Sequence, residues 1–194
     1  MKWTIPNILT FLRIILIPVL VVIFYVPSQW SYQISAAVFG LAAITDWLDG
    51  YLARRLQQAS AFGAFLDPVA DKLMVAVALV LLVQDNPSEL FAVPAAIIIG
   101  REIVISALRE WMAEIGARTK VAVSIVGKVK TALQMIAILL LLYKAPLGQF
   151  PTHTVGVALL YIAAILTLWS MFVYLKAAWP ILSRDEGQSP QDGA

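Results

Sequence analysis

Six runs of mainly apolar residues, 9–26, 32–52, 66–83, 92–112, 129–143 and 155–175, alternate with short polar breaks along the 194-residue chain. A helix needs about 20 apolar residues to cross the hydrocarbon core of a bilayer. The pattern therefore predicts an all-α integral membrane protein of six transmembrane helices, the fifth the shortest. The breaks carry turn chemistry in Val26-Pro27-Ser28, Asp85-Asn86-Pro87-Ser88 and Ala145-Pro146-Leu147-Gly148. No internal repeat or second domain is visible, so residues 1–182 are expected to form a single transmembrane domain and 183–194 a loose polar tail. The first run does not read as a cleaved signal peptide, because Pro6 and Arg13 interrupt its start and no small-x-small site follows it.

Composition closes the alternatives. The chain is 61% hydrophobic and 13% charged, with a mean hydropathy of +0.84. Soluble domains average roughly 45–50% apolar and about 25% charged residues, so a water-soluble fold lacks the charge to coat its surface. With no cysteine, disulfides, thiolate nucleophiles and Cys-ligated metals are excluded. A formal net charge of +2 does not suggest a nucleic-acid binder. The placement of the bases says more than their number. Breaks 27–31 and 83–91 hold no Lys or Arg, and the fifth break holds only Lys144. Lys2, Arg13, Arg54, Arg55, Lys72, Arg118, Lys120, Lys128, Lys130, Lys176 and Arg184 all fall at the other side. The positive-inside bias then makes both termini and the second and fourth breaks cytoplasmic, and an even number of spans agrees.

The second and third runs meet at a cytoplasmic turn that contains Asp46, Asp49, Gly50, Ala53 and Arg54, and then Gly63, Asp67 and Asp71. Steps of three, four, seven and eight residues return to one helical face. The first five residues thus form one stripe, and Gly63, Asp67 and Asp71 form a second on the returning helix. If the two helices are antiparallel neighbours, four carboxylates converge. One Asp at the centre of a membrane helix costs about 2.5–3.5 kcal/mol on insertion scales, and a cluster adds repulsion, so something cationic must offset it. Carboxylates without His or Cys suit Mg²⁺ or Mn²⁺ over zinc. Two such ions about 3.5–4 Å apart would clamp a phosphoryl group. In the first helix Asn7, Thr10 and Arg13 recur every three residues and mark a polar stripe of their own.

The pattern D-x2-D-G-x2-A-R-x8-G-x3-D-x3-D over residues 46–71 resembles that of the CDP-alcohol phosphotransferases. The resemblance implies six transmembrane helices, usually in a homodimer, with the active site at the cytoplasmic boundary of a bacterial inner membrane. It implies transfer of the phosphatidyl group of CDP-diacylglycerol to an alcohol, with release of CMP. By that similarity Asp46, Asp49, Asp67 and Asp71 hold metal, and Asp71 also acts as base. Asp49, Gly50, Ala53, Arg54 and Gly63 would lie along the CDP moiety. The opening Pro6-Asn7-Ile-Leu-Thr10 is similar too, which adds Asn7 and Thr10 to that group. No Cys and no Ser/His/Asp set is available, which favours single displacement without a covalent enzyme intermediate.

A second polar group, Arg101-Glu102, Ser106, Arg109-Glu110 and Glu114, is followed by Arg118, Lys120, Lys128, Lys130, Thr131 and Gln134. Cations fixed beside an acidic site suggest an acceptor that carries its own anion. The segments 101–112 and 127–131 resemble the branch of the family whose acceptor is sn-glycerol 3-phosphate. That resemblance extends over about residues 5–175 and places the acceptor phosphate among Arg101, Arg109, Lys128 and Lys130. Inositol phosphate, serine and phosphatidylglycerol are the alternative acceptors.

Plainer readings stand beside these. Asp67 before Pro68 could be a helix cap, and Gly50, Ala53 and Gly63 could serve helix packing alone. Arg55 and Lys72 fit a topology signal, Glu102 and Glu110 fit partners of arginine, and Arg118 and Lys120 fit solvated or lipid-facing charge. His153 is a lone imidazole, and Trp30, Tyr32, Trp111 and Trp179 read as interface anchors. An ion-coupled transporter would show midplane carboxylates and repeated, broken helices. An intramembrane prenyltransferase would separate two Asp-rich motifs. Neither pattern is present.

Overall fold

The computed structural model describes residues 5–56, 61–115 and 125–185, in six helices: α1 (Ile5–Tyr25), α2 (Ser31–Leu56), α3 (Ala61–Asp85), α4 (Glu89–Glu114), α5 (Ile125–Tyr143) and α6 (Thr152–Asp185). Within these helices the side chains of Ala53, Arg54 and Lys128 lie outside the described residues, as do Lys2, Arg118, Lys120 and 186–194 altogether. Each of the first five apolar runs coincides with one helix to within about five residues, and the sixth begins with α6 but ends well before it. The helix α6 continues to Asp185 and so takes in the first three residues that composition assigned to the tail.

The fold is an all-α membrane bundle. Asn7–Tyr25, Glu89–Glu114 and Thr152–Trp179 are each long and apolar enough to cross a bilayer, while the apolar part of α5, Val129–Tyr143, is shorter. Only 22–28% of each long apolar window is buried in the protein, so most of its hydrophobic surface faces outward. Ile44, Trp47, Phe65, Ile103, Trp169 and Phe172 are all exposed. An apolar exterior this extensive is stable against lipid, not water. The core is thin by comparison, with Leu20, Phe39, Leu79, Leu82, Ile98, Ile138, Leu142 and Leu160 buried at its centre.

Small residues set how closely the helices approach. A Cβ on Gly156 of α6 would sit 2.8 Å from Leu141 Cγ of α5, so only glycine permits this contact, as in other membrane helix pairs. The site depends on a different packing. The helix α1 packs against both α2 and α3 more extensively than those two pack against each other. The acidic hairpin therefore does not close on itself; α1 closes it. The helix α3 starts at Ala61, so Asp67 lies two turns inside it and is not a cap, which removes the capping alternative. Pro68 within α3 has no N–H for the carbonyl four residues earlier, which loosens the backbone ladder beside Asp67.

Candidate active site

The polar stripe of α1 is almost completely enclosed: Asn7, Thr10 and Arg13 are all buried, and Arg13 is only 1% exposed. Its guanidinium sits among the acids of the two following helices. Nη2 donates to Asp49 of α2 and lies 3.2 Å from Asp46 Oδ1, while Nη1 donates to Asp71 of α3. One turn earlier, the Thr10 hydroxyl donates to Asp67. The four aspartates that share two sequence stripes are thus drawn to one face of a third helix. A planar fork with five donors is the side chain best suited to spanning several carboxylates.

The four acids are not equivalent. The side chain of Asp49 is 4% exposed, whereas those of Asp46 and Asp71 are each 44% exposed. Asp49 is locked behind Arg13, and Asp46 and Asp71 keep open faces at the mouth of the site. Gly63 is buried and Gly50 half-buried. Among the described residues the acids outnumber the cation they surround, with three carboxylates on Arg13 and the fourth, Asp67, on the Thr10 hydroxyl. Among the described residues, no group of three or more His, Asp or Glu is drawn together as a metal shell would be; the acids are spread around Arg13. The donor set nevertheless fits a hard divalent cation, being all carboxylate oxygen. That a guanidinium is already held there shows that the volume accepts positive charge.

A cavity of about 310 Å³ opens from this cluster toward α4 and α5. Asp67, Pro68, Asp71, Lys72 and Val75 of α3 form one wall, with Glu102 of α4 and Lys130, Thr131 and Gln134 of α5 opposite. Lys130 is buried and donates to Glu102 Oε1 at 3.2 Å; Arg101 Nη1 donates to the same oxygen at 2.6 Å. Glu102 is thereby the partner of both cations. Lys72 reaches Ser106, whose hydroxyl donates to the Glu102 carbonyl.

Of the four residues assigned to an acceptor phosphate, the structure brings Lys130 to the cavity wall and holds Arg101 behind it through Glu102. The other arm of Arg101 reaches Ser170 of α6 at 3.4 Å. The Arg109 guanidinium lies over the Tyr174 ring, 5.2 Å from the centroid. The Lys128 side chain is outside the described residues. Reasoning from the sequence left Arg13 out of the site. The signal was available, because its stripe was visible and the acids demanded a cation. Spacing alone did not say which helix faces them.

Residues 3–169 match the family model described as CDP-alcohol phosphatidyltransferase. The chain is also similar to curated proteins named CDP-diacylglycerol--glycerol-3-phosphate 3-phosphatidyltransferase. The one from Pseudomonas fluorescens is 58% identical over 182 residues, which cover 93% of each chain. The one from Salmonella choleraesuis is 55% identical and the one from Pectobacterium atrosepticum 56% identical, each over 92% of this chain and 96% of the relative.

Proposed function

The chain belongs to the CDP-alcohol phosphatidyltransferase family, and on that premise we propose that it transfers the phosphatidyl group of CDP-diacylglycerol to sn-glycerol 3-phosphate. The products are phosphatidylglycerophosphate and CMP. The observation that carries this reading is a cavity that has Asp71 on one wall and the buried Lys130 on the other. An acceptor with a hydroxyl at one end and a phosphate at the other fits those two groups. At about 310 Å³ the space accommodates a three-carbon phosphate.

In this mechanism Lys130 binds the acceptor phosphate, and Arg101, held beside it by Glu102, adds to the field. Arg109 and Lys128 complete the basic surroundings. Asp71, with its open carboxylate face, takes the proton of the attacking hydroxyl. The hydroxyl oxygen forms the new bond to the phosphatidyl phosphorus as the bond to CMP breaks, in one displacement. Asp46, Asp49, Asp67 and Asp71 would hold Mg²⁺ or Mn²⁺, two ions in this reading, which when bound would neutralise charge on the diphosphate. Asn7, Thr10, Gly50, Ala53, Arg54 and Gly63 line the CDP moiety beside Asp49. Arg13 keeps the carboxylates in register for both substrates.

The same reading places the protein in the bacterial cytoplasmic membrane as a homodimer, with the site and both termini facing the cytoplasm. The one-sided distribution of Lys and Arg supports that orientation. Vesicles holding the protein and CDP-diacylglycerol test the function against a panel of acceptors. Release of CMP that needs Mg²⁺ or Mn²⁺ and sn-glycerol 3-phosphate is expected. Release that needs inositol phosphate, serine or phosphatidylglycerol instead, or ion flux without CMP, overturns it.

A further inference from the structure

Gln134 follows Lys130 by four residues on α5, and both line the cavity that reaches Asp67 and Asp71. Its residue is 5% exposed, and its Oε1 is buried without a hydrogen-bond partner. Native proteins pair nearly all buried polar atoms, and each exception asks for an explanation. The neighbouring polar groups on the same walls are engaged: Lys130 with Glu102, Glu102 with Arg101, and Thr131 through its hydroxyl to the Gly127 carbonyl. One wall therefore offers a cation and, about 6 Å further along the helix axis at 1.5 Å per residue, an idle acceptor. A carboxylate stands across the gap.

We infer that Gln134 is a specificity-determining residue, whose amide oxygen accepts a hydrogen bond from the acceptor's second hydroxyl, the one that is not transferred. This rests on the function proposed above. With the phosphate at Lys130 and the reacting hydroxyl at Asp71, the middle carbon of a three-carbon phosphate passes the stretch of wall where Gln134 stands. The site thus selects a vicinal diol phosphate over a simple hydroxyalkyl phosphate. A site built to bond a substrate hydroxyl rejects the analogue that lacks it, because the buried protein group is then left unpaired. A purely structural glutamine would not discriminate, and an apolar side chain of similar size would replace it without changing acceptor choice.

The test compares kcat/KM for sn-glycerol 3-phosphate with that for 3-hydroxypropyl phosphate, which lacks the middle hydroxyl. The full-length protein is used in vesicles with CDP-diacylglycerol and Mg²⁺. The wild type is expected to prefer the diol by on the order of 10²-fold. In Gln134→Leu the preference should fall to less than about fivefold, with the KM for CDP-diacylglycerol unchanged. Gln134→Met, closer in length and flexibility, gives the same readout should the leucine variant fold poorly. A preference that survives in both variants overturns this inference and leaves the proposed function standing. If the wild type turns over neither phosphate, the acceptor assignment falls and the inference falls with it.

Discussion

The two ends of α3 carry two polar clusters of opposite design. At its last residue, Asp85 accepts from Lys144 Nζ at 2.8 Å and from the Tyr32 hydroxyl at 2.9 Å, and Lys144 also reaches the Tyr32 oxygen at 3.1 Å. One acid meets one base, with the Tyr32 hydroxyl between them and the Asn86 amide donating to the same acid. At the other end, among the described residues, Asp71 joins Asp46 and Asp49 around the Arg13 guanidinium, with Asp67 on the Thr10 hydroxyl beside them. A balanced cluster asks nothing of its surroundings and ties helices together. An unbalanced one in a poorly solvated setting is costly, and it persists where a ligand completes it. The same residue types therefore serve structure at one end of the helix and chemistry at the other, and the sum of charge separates the two uses.

Neutralising one acid at each end breaks that contrast most sharply. Asp71→Asn removes the proposed proton acceptor and should lower kcat by about 10²–10⁴, the usual yield of a positioned base. Helix content by circular dichroism should be unchanged. Asp85→Asn should leave the rate of CMP release within about twofold. If Asp71→Asn retains more than about a tenth of the wild-type rate, Asp71 is not the base.

Removal of the cations ranks next, and here the measurement is stability. Arg13→Gln strips from three carboxylates the guanidinium that pairs with them, at a side chain only 1% exposed. Breaking a buried ion cluster from one side costs about 3–5 kcal/mol, read as a large fall in the thermal unfolding midpoint in detergent. Arg13→Lys should recover only part of it, because one ammonium cannot fork between carboxylates on different helices. A loss smaller than that of Lys144→Ala would reverse the ranking of the two ends.

The fold was largely legible in the sequence, because lipid imposes a simple rule on composition and length. Six apolar runs became six helices, and turn residues lay between them. The acids were legible for the same reason: Asp46, Asp49, Asp67 and Asp71 stand out where nearly everything else is apolar. Spacing assigned each to a face, but it could not say what the face meets. That depends on α1 entering between α2 and α3, a matter of helix packing that leaves no periodicity in the chain. Arg13 was therefore seen as polar and not as the centre of the site. Arg109 looked like Arg101 in the sequence, yet an aromatic ring on α6 captures it. Gln134 was masked by the lysines and arginines around it, since an uncharged amide gains meaning only once it is known to be buried and unpartnered.

On the acceptor side, the contrast sharpens between neighbours. Lys130→Ala should raise the KM for sn-glycerol 3-phosphate by about 10–100-fold, the size of one lost charge-assisted contact of about 1.5–3 kcal/mol. The KM for CDP-diacylglycerol should stay near its wild-type value, the pattern of lost binding to one substrate alone. Arg109→Ala should change the acceptor KM by less than about threefold, because its guanidinium is engaged with Tyr174. An equal rise for both substrates in Lys130→Ala would place Lys130 outside the acceptor subsite.

The smallest effects are expected at the balanced end, and they separate charge from backbone. Lys144 is half in water, with its side chain 40% exposed, and exposed ion pairs contribute about 0.2–1 kcal/mol. Its backbone has φ +60°, where a residue with a Cβ pays about 1–2 kcal/mol that glycine does not. Lys144→Ala keeps that penalty and loses the pair, so it should be destabilised by no more than about 1 kcal/mol. Lys144→Gly loses the pair but relieves the backbone, and should match or exceed the wild type. Burial opposes the charge on Lys144, but its bonds to Asp85 and Tyr32 outweigh that and hold its pKa above the ordinary lysine value. A pKa raised by folding adds stability that is complete below the unfolded value and is lost as pH climbs through the folded one. The gap in unfolding midpoint between wild type and Lys144→Ala should therefore be flat from about pH 6 to pH 9 and close only above about pH 10.4, the ordinary lysine value. A gap that closes near neutral pH would mean that the bonds to Asp85 and Tyr32 do not hold the charge on Lys144, and would overturn the balanced reading of this end.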